Sequence, residues 1–460
     1  MTNSQEASLN ASLNALLARR DWQTLTAKLI DAPIIEVADF LTQQSASQRA
    51  GILSRIPGQV QGEAFANLSE EVQMEVYSAL SKQRFAQLFA CMPSHQRVAF
   101  YQQLDDKEQT KLLPFFTKKV REDVITLSAY SADTAGGVMS TDFATVLSHM
   151  TVKQAISKLR QDSPSKKMIY YIYVVDRNMK MIGFVSLKDL IMAHPTTRVE
   201  RVLHRSFVCV HVQDDREYVA KQVERHDLVA IPVLNQEEQL LGIVRYDDAM
   251  DVIQAEHTED MEKFMGIISN DNTSEYFMTS IIQHFRRRVF WIVGLFMASI
   301  FSEAIIHYHE AVLAKTTVLA LYLPMIAASG GNAGSQSATV VIRAISLGQA
   351  ELRNWFRILI KEARIALLLS VCLFFMAFVK VFILSRDAAL GAHTVYDLAF
   401  AIALSLSLQV VTSTVIGAAL PLVAKYYNGD PAVAASPAIA TLVDITGMAI
   451  YFTVAVRMLS

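Results

Sequence analysis

Apolar and polar positions follow three different rhythms along this 460-residue chain, and each predicts a different kind of structure. From about Leu25 to Ser128, apolar residues recur at helical spacing in short units: "SEEVQMEVYSAL", "SKQRFAQLFACMP", "SHQRVAFYQQL" and "DDKEQTKLLPFF". Each unit opens on a Ser or Asp that can accept the unpaired N–H groups of a helix start. A unit of 11 to 13 residues is one short helix and a turn, and must stack on its neighbours to bury its apolar side.

From 133 to 250 the rhythm changes to apolar strand, polar turn, short strand and helix start. "KMIYYIYVVDRNMKMIGFVSLKDLIM" shows it, and "HDLVAIPVLNQEEQLLGIVRYDDAMDVI" repeats it about 60 residues later. A helical run precedes each, "TVKQAISKLRQ" and "DREYVAKQVERH". This is a tandem α/β repeat. "AEHTEDMEKFMGI" continues as an acidic helix.

Beyond Arg286 five apolar spans follow, at 289–306, 318–345, 365–384, 398–424 and 432–456. Each is long enough for a hydrocarbon core of about 30 Å. Basic residues cluster at Arg286 to Arg288 and at Arg353, Arg357, Lys361 and Arg364, while the opposite loops offer Lys315 and Arg386. That bias places the N-terminal domains in the cytoplasm. The insert "ELRNWFRILIKEAR" carries Leu352, Trp355, Phe356 and Leu359 on one face, and is expected to lie along the inner membrane surface. The predicted class is multidomain. An all-α helical-repeat N domain (1–130) precedes two α/β domains (131–193 and 194–253), a connecting helix (254–284) and an all-α five-helix transmembrane domain (285–460).

Charge sharpens the division. Residues 1–270 hold 29 Lys+Arg against 34 Asp+Glu, whereas 271–460 hold 13 against 10. Neither part has the basic stripe of a nucleic-acid binder. Cys91, Cys209 and Cys372 lie far apart, without metal-ligand or disulfide spacing, which fits a reducing cytoplasm. The N-terminus lacks a signal-peptide pattern.

The second span is unexpectedly polar: "PMIAASGGNAGSQSATVVIRAISLG". Pro324 and Gly330, Gly331 and Gly334 permit a kink and close helix approach. Asn332, Gln336 and Thr339 share one helical face, the pattern of a pore wall. Asp444 is the one ionisable residue near the middle of the fifth span, and an acid at that depth points to function. The structural alternative is a hydrogen bond to Thr441, Thr446 or a span-two amide. Few carboxylates among many neutral oxygens suit hydrated Mg²⁺, which keeps its waters. Glu303, near the outer end of the first span, is a candidate entrance group, and Ala440 joins the pore lining. Just before the membrane, Asp248, Asp251, Glu256, Glu259 and Asp260 repel like charges unless a cation intervenes, the basis of a cation-sensing switch.

These segments, with "YSADTAGGVMS", "GFVSLKDL", "GIVRYDDAMDVI", "EHTEDM" and "ATLVDITG", make the chain resemble the MgtE family of magnesium channels and transporters along nearly its whole length. The resemblance implies an inner (plasma) membrane homodimer with lipid around it, two CBS domains, a plug helix and a pore between helices two and five. On that resemblance Asp444 holds hydrated Mg²⁺ in the pore. Asp248, Asp251, Glu256, Glu259 and Asp260 belong to the regulatory set through which cytosolic Mg²⁺ closes it, with Asp106 as the N-domain candidate. The chain departs from the family's N-domain acidic pair, since Gln109 and Thr110 stand where the second acid would fall. In the second CBS repeat Arg245 replaces the usual hydroxyl, whereas the first keeps Ser186 and Asp189. Hydroxyl and carboxylate suit a ribose and Arg a phosphate, so Ser186, Asp189 and Arg245 are candidates for ATP, the other reading being that they cap helix starts. The alternative function is a membrane-anchored, nucleotide- or cation-sensing regulator without a pore. No sequence feature indicates an enzyme.

Overall fold

The computed structural model describes residues 3–162, 170–268, 279–386, 393–427, 429–433 and 436–459. Contacts divide the chain into two compact units, Met1–Glu256 and His257–Ser460.

The first unit begins with ten short α-helices among the described residues, from Asn3–Ala18 to Lys118–Leu127. Their apolar faces meet in one core in which Phe65, Phe85, Phe89 and Phe100 are buried, with Phe85 and Phe100 ring centres 5.2 Å apart. The expected caps form at Ser81, which accepts from Arg84 N–H, and at Asp105, which accepts from Glu108 N–H. Ser94 is a correction. Pro93 takes the cap position and Ser94 is already helical, its hydroxyl buried 3.0 Å from that of Ser140.

The tandem repeat forms two three-stranded sheets, β1 (Thr145–Leu147), β2 (Tyr171–Val175), β3 (Met181–Ser186) and β4 (Val210–His211), β5 (Ala230–Leu234), β6 (Leu240–Arg245). In each, the first pair is parallel and the second antiparallel. Helices α1 (Val152–Asp162) and α3 (Arg216–Arg225) make the parallel crossovers, and α2 (Leu187–Met192) follows β3. The hairpins match in detail: Met179 and Glu238 both take positive φ, 64° and 60°. Helix α4 (Tyr246–Phe264) follows β6 without a break, so the acidic run belongs to a helix that starts at the sheet edge.

The second unit holds α5 (Ile281–Ala298), α6 (Ile300–Tyr308), α7 (Leu323–Ser346), α8 (Trp355–Leu384), α9 (Val395–Tyr426) and α10 (Ser436–Leu459). Among the described residues, four segments are long and apolar enough to cross a membrane: Ile281–Tyr308, Leu352–Leu384, Val395–Tyr426 and Ser436–Leu459. Helix α7 is set apart by its polar residues, yet its 24 residues reach about 36 Å at 1.5 Å each. Helix α9 is the hub, packed against α7, α8 and α10.

Three expectations change here. The first span begins at Ile281 and is interrupted at Ser299. Pro324 does not kink α7; it sits in the first turn, where its missing N–H costs nothing. The amphipathic insert is no separate surface helix, because Trp355 opens a 30-residue helix with no Gly or Pro to break it. Within α8 the buried Glu362 is satisfied by the Ser337 hydroxyl of α7, 2.8 Å away.

Glycine sets the α7–α9 distance. A Cβ on Gly417 would lie 2.1 Å from the Gly334 carbonyl oxygen, so the two backbones touch. Membrane helices associate through such close packing. Gly417→Ala should therefore destabilise the helix bundle by about 1–3 kcal/mol, the usual range for overpacking. Thermal unfolding in detergent should show a lower midpoint than wild type.

Candidate functional site

Helix α7 divides cleanly by face. Gly330, Gly334, Ser337, Ala338, Val341 and Ile345 are buried against neighbouring helices. Asn332, Gln336, Thr339 and Arg343, spaced by four, three and four, are exposed along the other side. The sequence-derived stripe therefore stands on the free face of α7, lengthened by Arg343.

Helix α10 runs antiparallel beside it. A Cβ on Gly334 would lie 3.2 Å from Ile439, one on Gly330 would lie 2.9 Å from Val443, and one on Gly331 would lie 3.8 Å from Ala440. Asp444 thus stands level with Gly330, within one turn of Asn332. It is partly exposed, and it makes no hydrogen bond or ion pair among the described residues. The hydroxyls named as alternative partners bond within their own helix, Thr441 to the Pro437 carbonyl at 3.0 Å and Thr446 to the Val443 carbonyl at 3.0 Å. Glu303 is exposed on α6 and accepts from Ser299, the residue just before that helix, at 3.3 Å.

The acidic run is not an array of bare charges. Asp248 is buried and takes a two-point bond from Arg245, at 2.8 and 2.7 Å, with His95 Nε2 at 3.3 Å. Glu256 accepts from Arg216 Nε at 2.7 Å, and Glu259 lies 2.6 Å from Lys263 Nζ. Lys263 also reaches Asp430 at 2.8 Å. Burial alone would lower the Lys263 pKa, but Asp430 and Glu259 raise it above the usual range. The Asp251 carboxyl stands above its ordinary range through desolvation and the charges of Asp248 and Asp247. Asp106 is exposed at a helix start. Among the described residues no three His, Cys, Asp or Glu side chains come together as a metal cluster.

The nucleotide candidates are engaged locally. Ser186 and Asp189 cap α2 reciprocally, Ser186 Oγ donating to Asp189 at 2.6 Å, and His204 Nε2 lies 2.9 Å from the same carboxylate oxygen. Burial would raise the Asp189 carboxyl, but Ser186 and His204 hold it below the usual range. Arg245 is committed to Asp248. The cavity in this region lies elsewhere: about 280 Å³ between the two repeats, walled by Tyr171, Tyr173, Phe184, Phe207, His226 and Pro232 among others. Sequence reading had not picked out these aromatics, although "YYIYVV" and "GFVS" hold three of them. Nor had it picked out Gln409, the one amide of α9.

A soluble unit with paired α/β repeats, joined to a helical membrane unit with a polar helix face and an acid within a span, is the architecture of a membrane transport protein. Family models agree: the chain matches MgtE, described as a divalent cation transporter, over 323–454, the MgtE intracellular N domain over 32–133, and the CBS domain over 135–195 and 199–255. It is 32% identical over 454 residues to the magnesium transporter MgtE of Thermus thermophilus, covering 98% of each chain. It is 34% identical over 330 residues to the Bacillus subtilis protein of that name, covering 72% of this chain and 70% of the relative. Among solved structures, the soluble part of a magnesium transporter aligns with a TM-score of 0.52 at 27% identity, covering 55% of this chain and 99% of that one. The cytosolic domain of the Mg²⁺ channel MgtE in complex with ATP aligns at 0.50 and 30%, covering 53% and 99%. The chain belongs to the MgtE family.

His95 offers a test of the Asp248 cluster. Burial holds its imidazole below the usual range, with Asp248 pulling the other way and Arg245 reinforcing the drop. The unfolded chain therefore gains this proton near pH 6.5, while the folded chain resists it. The contribution is present above that pH and is lost as pH falls toward the folded value. Protection factors across Ser94–Gln103, corrected for the intrinsic exchange rate at each pH, should fall between about pH 7 and 5, and His95→Gln should flatten that dependence.

Proposed function

We propose that this chain forms a homodimeric Mg²⁺ channel in the inner membrane, with its soluble unit in the cytoplasm, closed when cytosolic Mg²⁺ is high. The observation that carries the reading is Asp444: a membrane-depth carboxylate without a partner among the described residues, beside the exposed polar face of α7. A polar face turned to hydrocarbon is costly, so a second copy or water must cover it. Asn332, Gln336, Thr339 and Ala440 then wall a wet path, Asp444 supplies its charge, and Glu303 attracts cations near the entrance. Mg²⁺ suits this donor set because it is held through its waters by one or two carboxylates. The relatives in Thermus thermophilus and Bacillus subtilis, both magnesium transporters, support the same ion.

Closure uses the acids of α4. Arg245, Arg216 and Lys263 neutralise Asp248, Glu256 and Glu259. Divalent ions compete for these carboxylates and for Asp251, Asp260 and Asp106. A differential affinity of about 2 to 3 kcal/mol shifts the open fraction roughly 30- to 150-fold. ATP is the proposed ligand of the aromatic cavity between the CBS repeats, whose rings suit a stacked base, and the ATP-bound relative supports it.

In proteoliposomes loaded with a Mg²⁺ indicator, Asp444→Asn should abolish most Mg²⁺ entry at unchanged protein incorporation; wild-type entry would remove Asp444 from the path. Absence of flux through the wild type itself would favour the pore-less regulator. Neutralising Glu256, Glu259 and Asp260 together should leave the channel open at internal Mg²⁺ that closes the wild type. Deleting residues 1–130 should have a milder effect, because the N-domain acidic set is thin. Flux against internal Mg²⁺ reads both.

A further inference from the structure

Gln409 occupies an unusual place in the bundle. Its side chain is fully buried on α9, where a Leu or Met of similar size would avoid the penalty of burying an amide. Its Nε2 donates to the Val443 carbonyl oxygen on α10 at 2.7 Å. That carbonyl belongs to the residue before Asp444, and it also accepts from the Thr446 hydroxyl at 3.0 Å.

Two glycines make room for the amide. A Cβ on Gly330 of α7, or on Gly447 of α10, would each lie 2.5 Å from Gln409 Nε2. Three helices therefore meet around one donor, and its bond goes to the backbone of the helix that carries the acid. The other polar atoms nearby, Gln409 Oε1 and Ser413 Oγ, are buried without a partner among the described residues. The bond to Val443 is thus the one clear electrostatic return on burying this amide.

We propose that Gln409 is a positioning residue for the ion path: it pins α10 at Val443 and thereby sets the rotation and depth of the Asp444 carboxylate against the polar face of α7. The proposal rests on the reading of Asp444 as the cation-holding group. A helix turns as a rod over one residue, so a 20° rotation, taken as a rough illustration at a radius of about 5–6 Å, moves the carboxylate about 2 Å. Mg–O and Ca–O distances differ by only about 0.2–0.6 Å. Losing the pin therefore alters apparent affinity and ion preference before it alters the number of working channels.

The test is flux in proteoliposomes of the full chain, with Mg²⁺ and Ca²⁺ each titrated as the transported ion. Gln409→Met keeps the volume and removes the donor. It should raise half-saturating Mg²⁺ about three- to tenfold, the worth of one hydrogen bond, and narrow the Mg²⁺ over Ca²⁺ preference, with maximal flux per incorporated protein near wild type. Gly447→Ala crowds the same donor and should shift both in the same direction. Because the two changes break one contact, the double variant should be no worse than the more affected single variant. Unchanged half-saturation with only a lower maximal flux, or single-variant shifts that multiply, would overturn the proposal. If these variants fail to accumulate as monodisperse protein, Thr446→Val, nearly isosteric, removes the second donor at Val443. It should raise half-saturating Mg²⁺ about twofold, and no shift would overturn the proposal. Asp444→Asn separates the two levels. Lost flux there beside wild-type behaviour of the Gln409, Gly447 and Thr446 variants sinks the positioning role alone, whereas undiminished flux sinks the path itself.

Discussion

Helices inside a membrane gain no hydrophobic drive from meeting one another, so what holds them is close packing and the polar bonds it permits. In this chain the deciding contact is Gly334 against Gly417, where α7 and α9 approach to backbone distance. Side chains there would wedge the helices apart. That closeness lets Gln409 pass Gly330 and reach Val443, which ties α10 into the same three-helix junction. The buried face of α7 is consumed by this packing. Its polar residues are left on the opposite side, with Asp444 at their edge. The proposed pathway is thus a by-product of where small residues permit contact.

The soluble unit follows a different logic, in which charge matters more than close approach. Asp248 is buried only because Arg245 meets it with both ends of a guanidinium fork. Removing one member would leave an uncompensated buried charge. Farther along α4, Lys263 is shared between Glu259 and Asp430 and so fastens the end of the helix to the loop before α10. Three of the acids proposed to sense Mg²⁺, Asp248, Glu256 and Glu259, therefore start from a neutralised arrangement. A divalent ion acts on them by competition with bound bases as much as by relief of repulsion.

Much of this architecture was readable in the residues. The repeated strand–turn–strand pattern revealed β2, β3, β5 and β6, but β1 and β4, of three and two residues, carry too little pattern to register. The four- and three-residue spacing of Asn332, Gln336 and Thr339 put them on one face correctly, because helical periodicity is a local property. Partnerships across distance were not readable. Glu256 meets Arg216 from 40 residues away, and Lys263 meets Asp430 from 167. Ser94, an apparent cap, and the insert at Trp355, an apparent surface helix, misled because the neighbouring Pro93 and the unbroken run of α8 decide their geometry. Gln409 was passed over because its meaning depends on glycines from two other helices.

The exposed face of α7 is proposed to line water and not lipid or protein. This is tested most directly by replacing Cys91, Cys209 and Cys372, then placing single cysteines along α7 and measuring their reaction with a charged, membrane-impermeant thiol reagent. A water-lined face gives fast labelling at 332, 336 and 339, slowed by added Mg²⁺, and slow labelling at 338 and 341 whatever the ion. Equal labelling of both faces, or an unreactive 332–336–339 stripe, would contradict it.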